Sequence, residues 1–308
     1  MNGRPSGLLV PITTPFDAQT GDVAPVALRE NARALLGMGV DGLVATGSTG
    51  EAALLADDEY CSVVRWLREV VPDDRWLVVG AGRESTRATI DACRVAGDQG
   101  ADAVLLRAPS YYSVTLSTTA LAAHFRRIAD DSPVPVLLYN MPKYTHVNFS
   151  EALVAALVDH ANIVGLKESS GDLKQFAVLQ ATAPQWALFM GSGSRFYSGL
   201  ELGAAGGVLA VACFAAGIAV RVRDKFRSGD RAAAGAAQEI LSPLSREIVD
   251  GLGVPGVKAA MDAAGLVGGP VRPPLMDLAE ADRARIASLV TQALGAAGNG
   301  ARAPARRN

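Results

Sequence analysis

Short apolar runs alternate along the chain with longer stretches whose apolar residues recur at helical spacing. The runs Leu8–Thr13, Gly42–Thr46, Trp76–Ala81, Ala103–Arg107, Val134–Tyr139, Ile163–Lys167, Ala187–Gly191 and Gly207–Ala212 predict eight strands. Between them, Pro25–Met38, Asp57–Val71, Thr86–Gln99, Ser117–Ala129, Ser150–Asp159 and Leu173–Ala183 predict helices. Asp57-Asp-Glu59, Ser85-Thr86 and Ser150-Glu151 place acceptors or acids at helix starts, and Gly39 and Gly100 stand where helices should stop. Nearly continuous apolar strands are those of a parallel sheet buried on both faces, and each parallel connection needs a crossover. Eight such units in roughly 215 residues predict an α/β fold, the (β/α)8 TIM barrel. The rival is a doubly wound open sheet. No GxGxxG opens a helix after the first strand, however, and Gly80-Ala81-Gly82 lacks the third glycine. The expected organisation is a barrel over 1–214 and, over 215–296, further helices packed on it in the same unit, among them Arg231–Ser245 and Val254–Ala264. Residues 297–308, with Arg302, Arg306 and Arg307, read as a disordered, solvated tail.

Composition narrows the function classes. The 308 residues carry 29 Lys+Arg against 31 Asp+Glu, a net charge of −2, and 49% are hydrophobic. That excludes a disordered chain and gives no electrostatic reason to expect a nucleic-acid partner. Cys61, Cys93 and Cys213 form no CxxC, and the only histidines are His124, His146 and His160, so no metal site is expected. Reduced thiols and an N-terminus broken by Pro11 and Pro15 rather than a signal peptide suggest a cytoplasmic protein. Leu202–Val220 runs 19 residues without a charge, long enough on paper to span a bilayer. Its four glycines and the short run Gly207–Phe214 read instead as a buried strand feeding directly into a helix, so no membrane is expected.

In a barrel the chemistry collects where strands end. Lys167 follows Ile163-Val-Gly-Leu166, which places an amine at the end of an apolar strand, where lost solvation favours its neutral, nucleophilic form. The alternative is a lysine paired with Glu168 or Asp172. Tyr139 ends the neighbouring strand and offers either a proton relay or a buried phenol with one hydrogen bond. Gly47-Ser-Thr-Gly-Glu51 offers hydroxyls and backbone N–H groups to a carboxylate, or forms an ordinary turn. Tyr111-Tyr112 follows the fourth strand, as part of a site or of an interface.

Together with Pro15-Phe16, Tyr139-Asn-Met-Pro142, Gly165-Leu-Lys167, Ser169–Asp172 and Gly191-Ser-Gly193, these residues resemble the N-acetylneuraminate lyase / dihydrodipicolinate synthase family of class I pyruvate aldolases. The resemblance runs from about Gly7 to Pro274. It implies a Schiff base between Lys167 and C2 of a 2-oxo acid, with Tyr139 moving protons and Thr49 and one of Tyr111 and Tyr112 completing the relay. That last tyrosine comes from a neighbouring subunit, which implies a homodimer or a homotetramer built of dimers. Ser48 and Thr49 hold the substrate carboxylate, Leu209 offers a backbone carbonyl beside the imine, and Ser169, Gly191 and Tyr144 lie around the substrate. No metal or organic cofactor is implied.

One departure bears on the substrate. The synthase branch has an arginine two residues after the proline of Tyr-Asn-x-Pro, where this chain has Tyr144. A phenol does not replace a bidentate guanidinium, which argues against dihydrodipicolinate synthesis. The segments from Tyr111 to His124-Phe125, Gly253–Lys258 and Gly268–Pro274 look more like the 4-hydroxy-2-oxoglutarate aldolase branch. The expected activity is therefore cleavage or formation of the C3–C4 bond of a 4-hydroxy-2-oxo acid, giving pyruvate or glyoxylate. The alternatives are a 2-keto-3-deoxy sugar acid dehydratase, a synthase-like condensing enzyme, and a catalytically silent effector-binding barrel. Arg195 is either a ligand for a distal carboxylate or an exposed residue at a helix start.

Overall fold

The computed structural model describes residues 4–298. All but the first two residues of the expected tail lie outside them. Eight parallel strands, β1 (Gly7–Pro11), β2 (Gly42–Ala45), β3 (Trp76–Gly80), β4 (Ala103–Arg107), β5 (Val136–Asn140), β6 (Ile163–Glu168), β7 (Ala187–Met190) and β8 (Gly206–Val208), pair in sequence order and close into a barrel through β1 and β8. This is the (β/α)8 architecture that the alternating runs predicted. Inside the barrel, Leu9, Val44, Val78, Leu105, Leu137, Phe189 and Val208 form one apolar cluster. Their outward neighbours, such as Leu8, Leu43, Leu77, Val104 and Leu138, join a larger cluster beneath the helices. Burial on both faces removes the alternation of a half-exposed strand, so the runs read as continuously apolar.

The helices are α1 (Pro25–Gly37), α2 (Asp57–Arg68), α3 (Thr86–Asp98), α4 (Thr118–Asp131), α5 (Pro142–Thr145), α6 (Glu151–Ala155), α7 (Leu173–Thr182), α8 (Phe196–Glu201), α9 (Ala212–Arg227), α10 (Arg231–Leu244), α11 (Gly251–Ala263) and α12 (Glu280–Ala297). Ser85 and Ser150 cap as expected, accepting from the N–H groups of Ala88 and Leu153. Asp57 is the first helical residue, as expected, and Asp57, Asp58 and Glu59 fill the first turn. Ala56 is the cap, and its N–H donates to Glu59 at 2.9 Å. Gly39 and Gly100 end helices with φ of +87° and +85°, a region glycine enters at no steric cost.

Three boundaries moved for local reasons. The β5 ladder begins at Val136 because Pro135 has no N–H to give. The helix expected to reach Asp159 stops at Ala155, and the chain goes on in tighter turns, with Leu157 N–H donating to Val154 and His160 N–H to Leu157. β8 is only three residues long. The uncharged run Leu202–Val220 is thereby divided among the turn after α8, β8 and the first part of α9. Among the described residues no helix is long and apolar enough to cross a membrane. α9 runs through the expected division at 214, packs on β1, and is itself covered by α10.

A buried ion pair ties the segment after α10 to the mouth of the barrel. Lys258 on α11 places Nζ 2.5 Å from Glu51 Oε1, and both side chains are almost fully enclosed. The other carboxylate oxygen accepts the backbone N–H of Arg272, and Lys258 also donates to the Pro270 carbonyl at 2.7 Å. Burial pushes the Lys258 ammonium below its ordinary pKa, against the pull of Glu51. The ammonium further lies 4.4 Å from the Phe16 ring centroid. Removing one member strands the other charge, so Lys258→Met is expected to cost about 3–5 kcal/mol in urea unfolding. Combining it with Glu51→Gln is expected to recover at least half of that loss, which a double-mutant cycle measures directly.

Candidate active site

The strand ends open into a cavity of about 460 Å³. β5 and β6 pair Tyr139 directly with Lys167 and Asn140 with Glu168. Alternation turns the first pair inward and the second outward. Lys167 is 6% exposed, and its Nζ lies 4.2 Å from the Tyr139 ring centroid. It forms no salt bridge with Glu168 or Asp172. Glu168 turns away, accepting from Asn140 Nδ2 at 3.0 Å and from the N–H and hydroxyl of Ser170 at 2.7 and 2.9 Å. Burial raises the Glu168 carboxyl above its ordinary pKa, partly offset by those donors. Asp172 caps α7 instead, accepting from Lys174 and Gln175.

The loop after β2 is held in a sparsely populated conformation. Thr46 and Glu51 have φ of +46° and +56°, costly for residues with a Cβ and above all for a β-branched threonine. Thr46 donates to the Gly80 carbonyl, and a Cβ at Gly80 would sit 2.2 Å from the Thr46 carbonyl oxygen, so only glycine fits beneath it. Thr14 donates to Gly50 O at 2.7 Å, and Glu51 is anchored to Lys258. This bracing aims Ser48 and Thr49 into the cavity. Strain that the surroundings over-determine is common where a binding geometry is preset.

Of the residues singled out from the sequence, Ser48, Thr49, Tyr139, Tyr144, Lys167, Ser169 and Gly191 meet around this one cavity. Ser169 Oγ is buried without a hydrogen-bond partner. A Cβ at Gly191 would collide with that oxygen, which explains the glycine. Leu209 does not line the cavity; its neighbours Val208 and Ala210 do, and its own carbonyl accepts from Ala212 N–H. Tyr111 and Tyr112 stay outside this chain's cavity, 79% and 68% exposed, stacked edge to face at 4.9 Å. Glu84 sets their loop, accepting the N–H groups of Ser110 and Tyr111 at 2.9 Å and Arg107 Nη1 at 2.9 Å. Burial works to raise its carboxyl, but these donors prevail and hold it down to about 2.

Several contributors escaped the sequence reading. The outward Asn140–Glu168 pair was legible in principle, because it follows the inward pair by one residue. Glu51 and Lys258 are far apart in sequence and carry no local signal of their pairing. A π-helical turn, Ser245–Asp250, brings Arg246, Val249 and Asp250 over the cavity. All of it after Ser245 falls between the expected helices Arg231–Ser245 and Val254–Ala264. Tyr144 is 46% exposed and sits at this rim, with Lys143 donating to the Asp250 carbonyl. Partial burial, with Tyr139 and Asp250 nearby, raises the Tyr144 phenol. A second chamber of about 490 Å³ adjoins the first, sharing Ser48, Tyr139 and Tyr144 and walled by Leu54, Leu252 and Pro274. Among the described residues no group of three or more His, Cys, Asp or Glu is placed to hold a metal ion.

Known proteins share this architecture over almost their whole length. A 4-hydroxy-tetrahydrodipicolinate synthase of Methanoculleus marisnigri is 36% identical over 279 residues, covering 89% of this chain and 94% of the relative. One from Methanothrix thermoacetophila is 35% identical over 290 residues, covering 93% and 96%. The crystal structure of the E. coli prophage protein YagE in complex with pyruvate superposes with a TM-score of 0.88 at 28% identity, covering 94% of this chain and 98% of that one. The model of the dihydrodipicolinate synthetase family, whose members are carbon–carbon lyases, matches residues 4–293. The chain belongs to the dihydrodipicolinate synthetase family.

Proposed function

We propose that the protein is a Schiff-base aldolase that cleaves, or forms, the C3–C4 bond of a 4-hydroxy-2-oxo acid such as 4-hydroxy-2-oxoglutarate. The observation that carries this reading is an enclosed lysine without an ion-pair partner, in direct register with a tyrosine, at the mouth of a closed barrel. Lys167 Nζ attacks C2 of the substrate and water leaves, giving an imine. Once protonated, the imine nitrogen draws electrons towards C2. When the C4 hydroxyl loses its proton, the C3–C4 bond breaks, its electron pair remains on C3 as an enamine, and C4 departs as an aldehyde. Protonation of C3 and hydrolysis then release pyruvate and the free amine. Tyr139, whose ring lies beside the amine, carries the proton from the hydroxyl. Ser48 and Thr49 hold the C1 carboxylate through hydroxyls and loop N–H groups.

Tyr111 and Tyr112 fit this scheme as donors to a second copy, because they are exposed on a loop fixed by Glu84 and do not reach their own cavity. The assembly in this reading is a homodimer or a pair of homodimers. A second reading, synthase-type condensation on the same imine, is favoured by the names of the relatives. Against it stands Tyr144, which offers an aldehyde carboxylate one phenol in place of a guanidinium fork.

Borohydride added with pyruvate is expected to fix a reduced adduct on Lys167, located by peptide mass spectrometry. Lys167→Ala is expected to abolish it, and an adduct-free wild type overturns the mechanism. Pyruvate release from 4-hydroxy-2-oxoglutarate separates the aldolase from a dehydratase, whose product retains all its carbons. Tyr139→Phe is expected to lower kcat by about 10²–10⁴-fold, the usual contribution of a positioned proton-transfer group. Turnover within a factor of two of wild type would remove Tyr139 from the relay.

A further inference from the structure

The cavity has a floor and a roof of different charge character. Its floor, on the barrel strands and loops, holds Lys167, Tyr139, Ser48 and Thr49. Its roof comes from the loop after β7 and from the π-helical turn Ser245–Asp250, which contribute Arg195 and Arg246. Neither guanidinium has a hydrogen-bonded or ion-paired side-chain partner among the described residues. With Lys143, three cations border this end of the cavity against the single carboxylate of Asp250. Lys143 is partly committed to the Asp250 backbone carbonyl. Partial desolvation raises the Asp250 carboxyl, and Lys143 and Arg246 only moderate that rise. Both guanidinium groups are exposed to solvent, and neither is committed to a protein partner among the described residues.

The turn that carries Arg246 is itself unusual. π-Helical turns are rare and are frequently found at functional sites. This one ends against Gly253, whose φ of +63° and ψ of −147° break α11 at its third residue. The break lies close to the Tyr144 hydroxyl, so the turn, the glycine and Tyr144 form one continuous rim.

We propose that Arg195 and Arg246 form an anion subsite for a distal carboxylate, making the preferred substrate a 2-oxo diacid. This rests on the Schiff-base reading above for the position of the other end of the molecule. With C1 held by the Gly47–Glu51 loop and C2 bound to Lys167, the chain of a five-carbon 2-oxo acid extends away from the floor. Its far end meets the roof, where two guanidinium forks match a carboxylate in geometry as well as charge. The site takes over the work of the arginine that Tyr144 replaces, from the rim to which Tyr144 itself belongs. Tyr144 then offers a single hydrogen bond to the same end of the substrate.

The test compares two acids of equal length that differ only at the far end, 2-oxoglutarate and 2-oxopentanoate, as competitors of pyruvate in borohydride trapping at Lys167. 2-Oxoglutarate is expected to compete at a concentration at least tenfold lower. Combined Arg195→Ala and Arg246→Ala is expected to bring the ratio of the two acids close to one, and the corresponding double lysine variant to keep part of the preference. Circular dichroism and the thermal midpoint establish that each variant is folded. A wild type indifferent to the distal group overturns the subsite, as does a folded alanine variant that keeps the wild-type ratio. Failure to trap any acid counts against the lysine mechanism instead. Calorimetric titration of the Lys167→Ala variant with the two acids then reads the same ratio without the imine.

Discussion

Two parallel strands held in one register bring Tyr139 beside Lys167, and the proposed chemistry depends on that adjacency. In a β-ladder a slip of one residue exchanges the faces of the strand that slips, which in β6 would turn Lys167 into the packed layer beneath the helices and bring Glu168 inward beside Tyr139. The outward pair guards against this. Asn140 and Glu168 are completely enclosed and bonded to each other, to Ser170, and through Asn148 to Gln175 on α7. A buried carboxyl that leaves its donors behind loses several hydrogen bonds at once, so the paired arrangement is strongly preferred. The register of the reactive pair is thus secured from the side of the sheet facing away from substrate.

The loop after β2 obeys the same logic. Its strained residues, Thr46 and Glu51, bracket Ser48 and Thr49 at the cavity, and each is held from outside it. Gly80 leaves room beneath one, and Lys258 pairs with the other. The helices after the barrel are therefore more than a cover over apolar strands. Through Lys258 and the Arg272 backbone they fix the shape of a loop that lies more than 200 positions earlier in the chain.

The barrel was legible because its signal is local: each strand is a short apolar run and each helix a periodic one, repeated eight times. The floor of the site was legible for a related reason, since barrels place chemistry where strands end and those ends can be read from where the runs stop. Helix starts were legible in the same way, at Asp57 with its acidic first turn and at the caps Ser85 and Ser150. Long-range pairing was not legible: nothing near Glu51 announces Lys258, and nothing near Ser110 announces that Glu84 will collect its N–H groups. Leu209 shows the limit of reading by position. The three-residue β8 turns into α9 so early that Val208 and Ala210 face the cavity, while the Leu209 carbonyl is engaged by Ala212.

The π-helical turn at Ser245–Asp250 has a consequence for how such a protein changes over generations. A turn of this kind holds one residue more than the α-helix around it, so gaining or losing a single residue there converts one form into the other. The widened turn absorbs the extra residue, so the flanking helices keep their faces and only the side chains of the turn itself are re-aimed. Arg246 and Asp250 would be re-aimed while the barrel, its register and the lysine stayed untouched. A lineage could exchange one substrate for another through one codon inserted or deleted, without passing through an ancestor that had lost its chemistry.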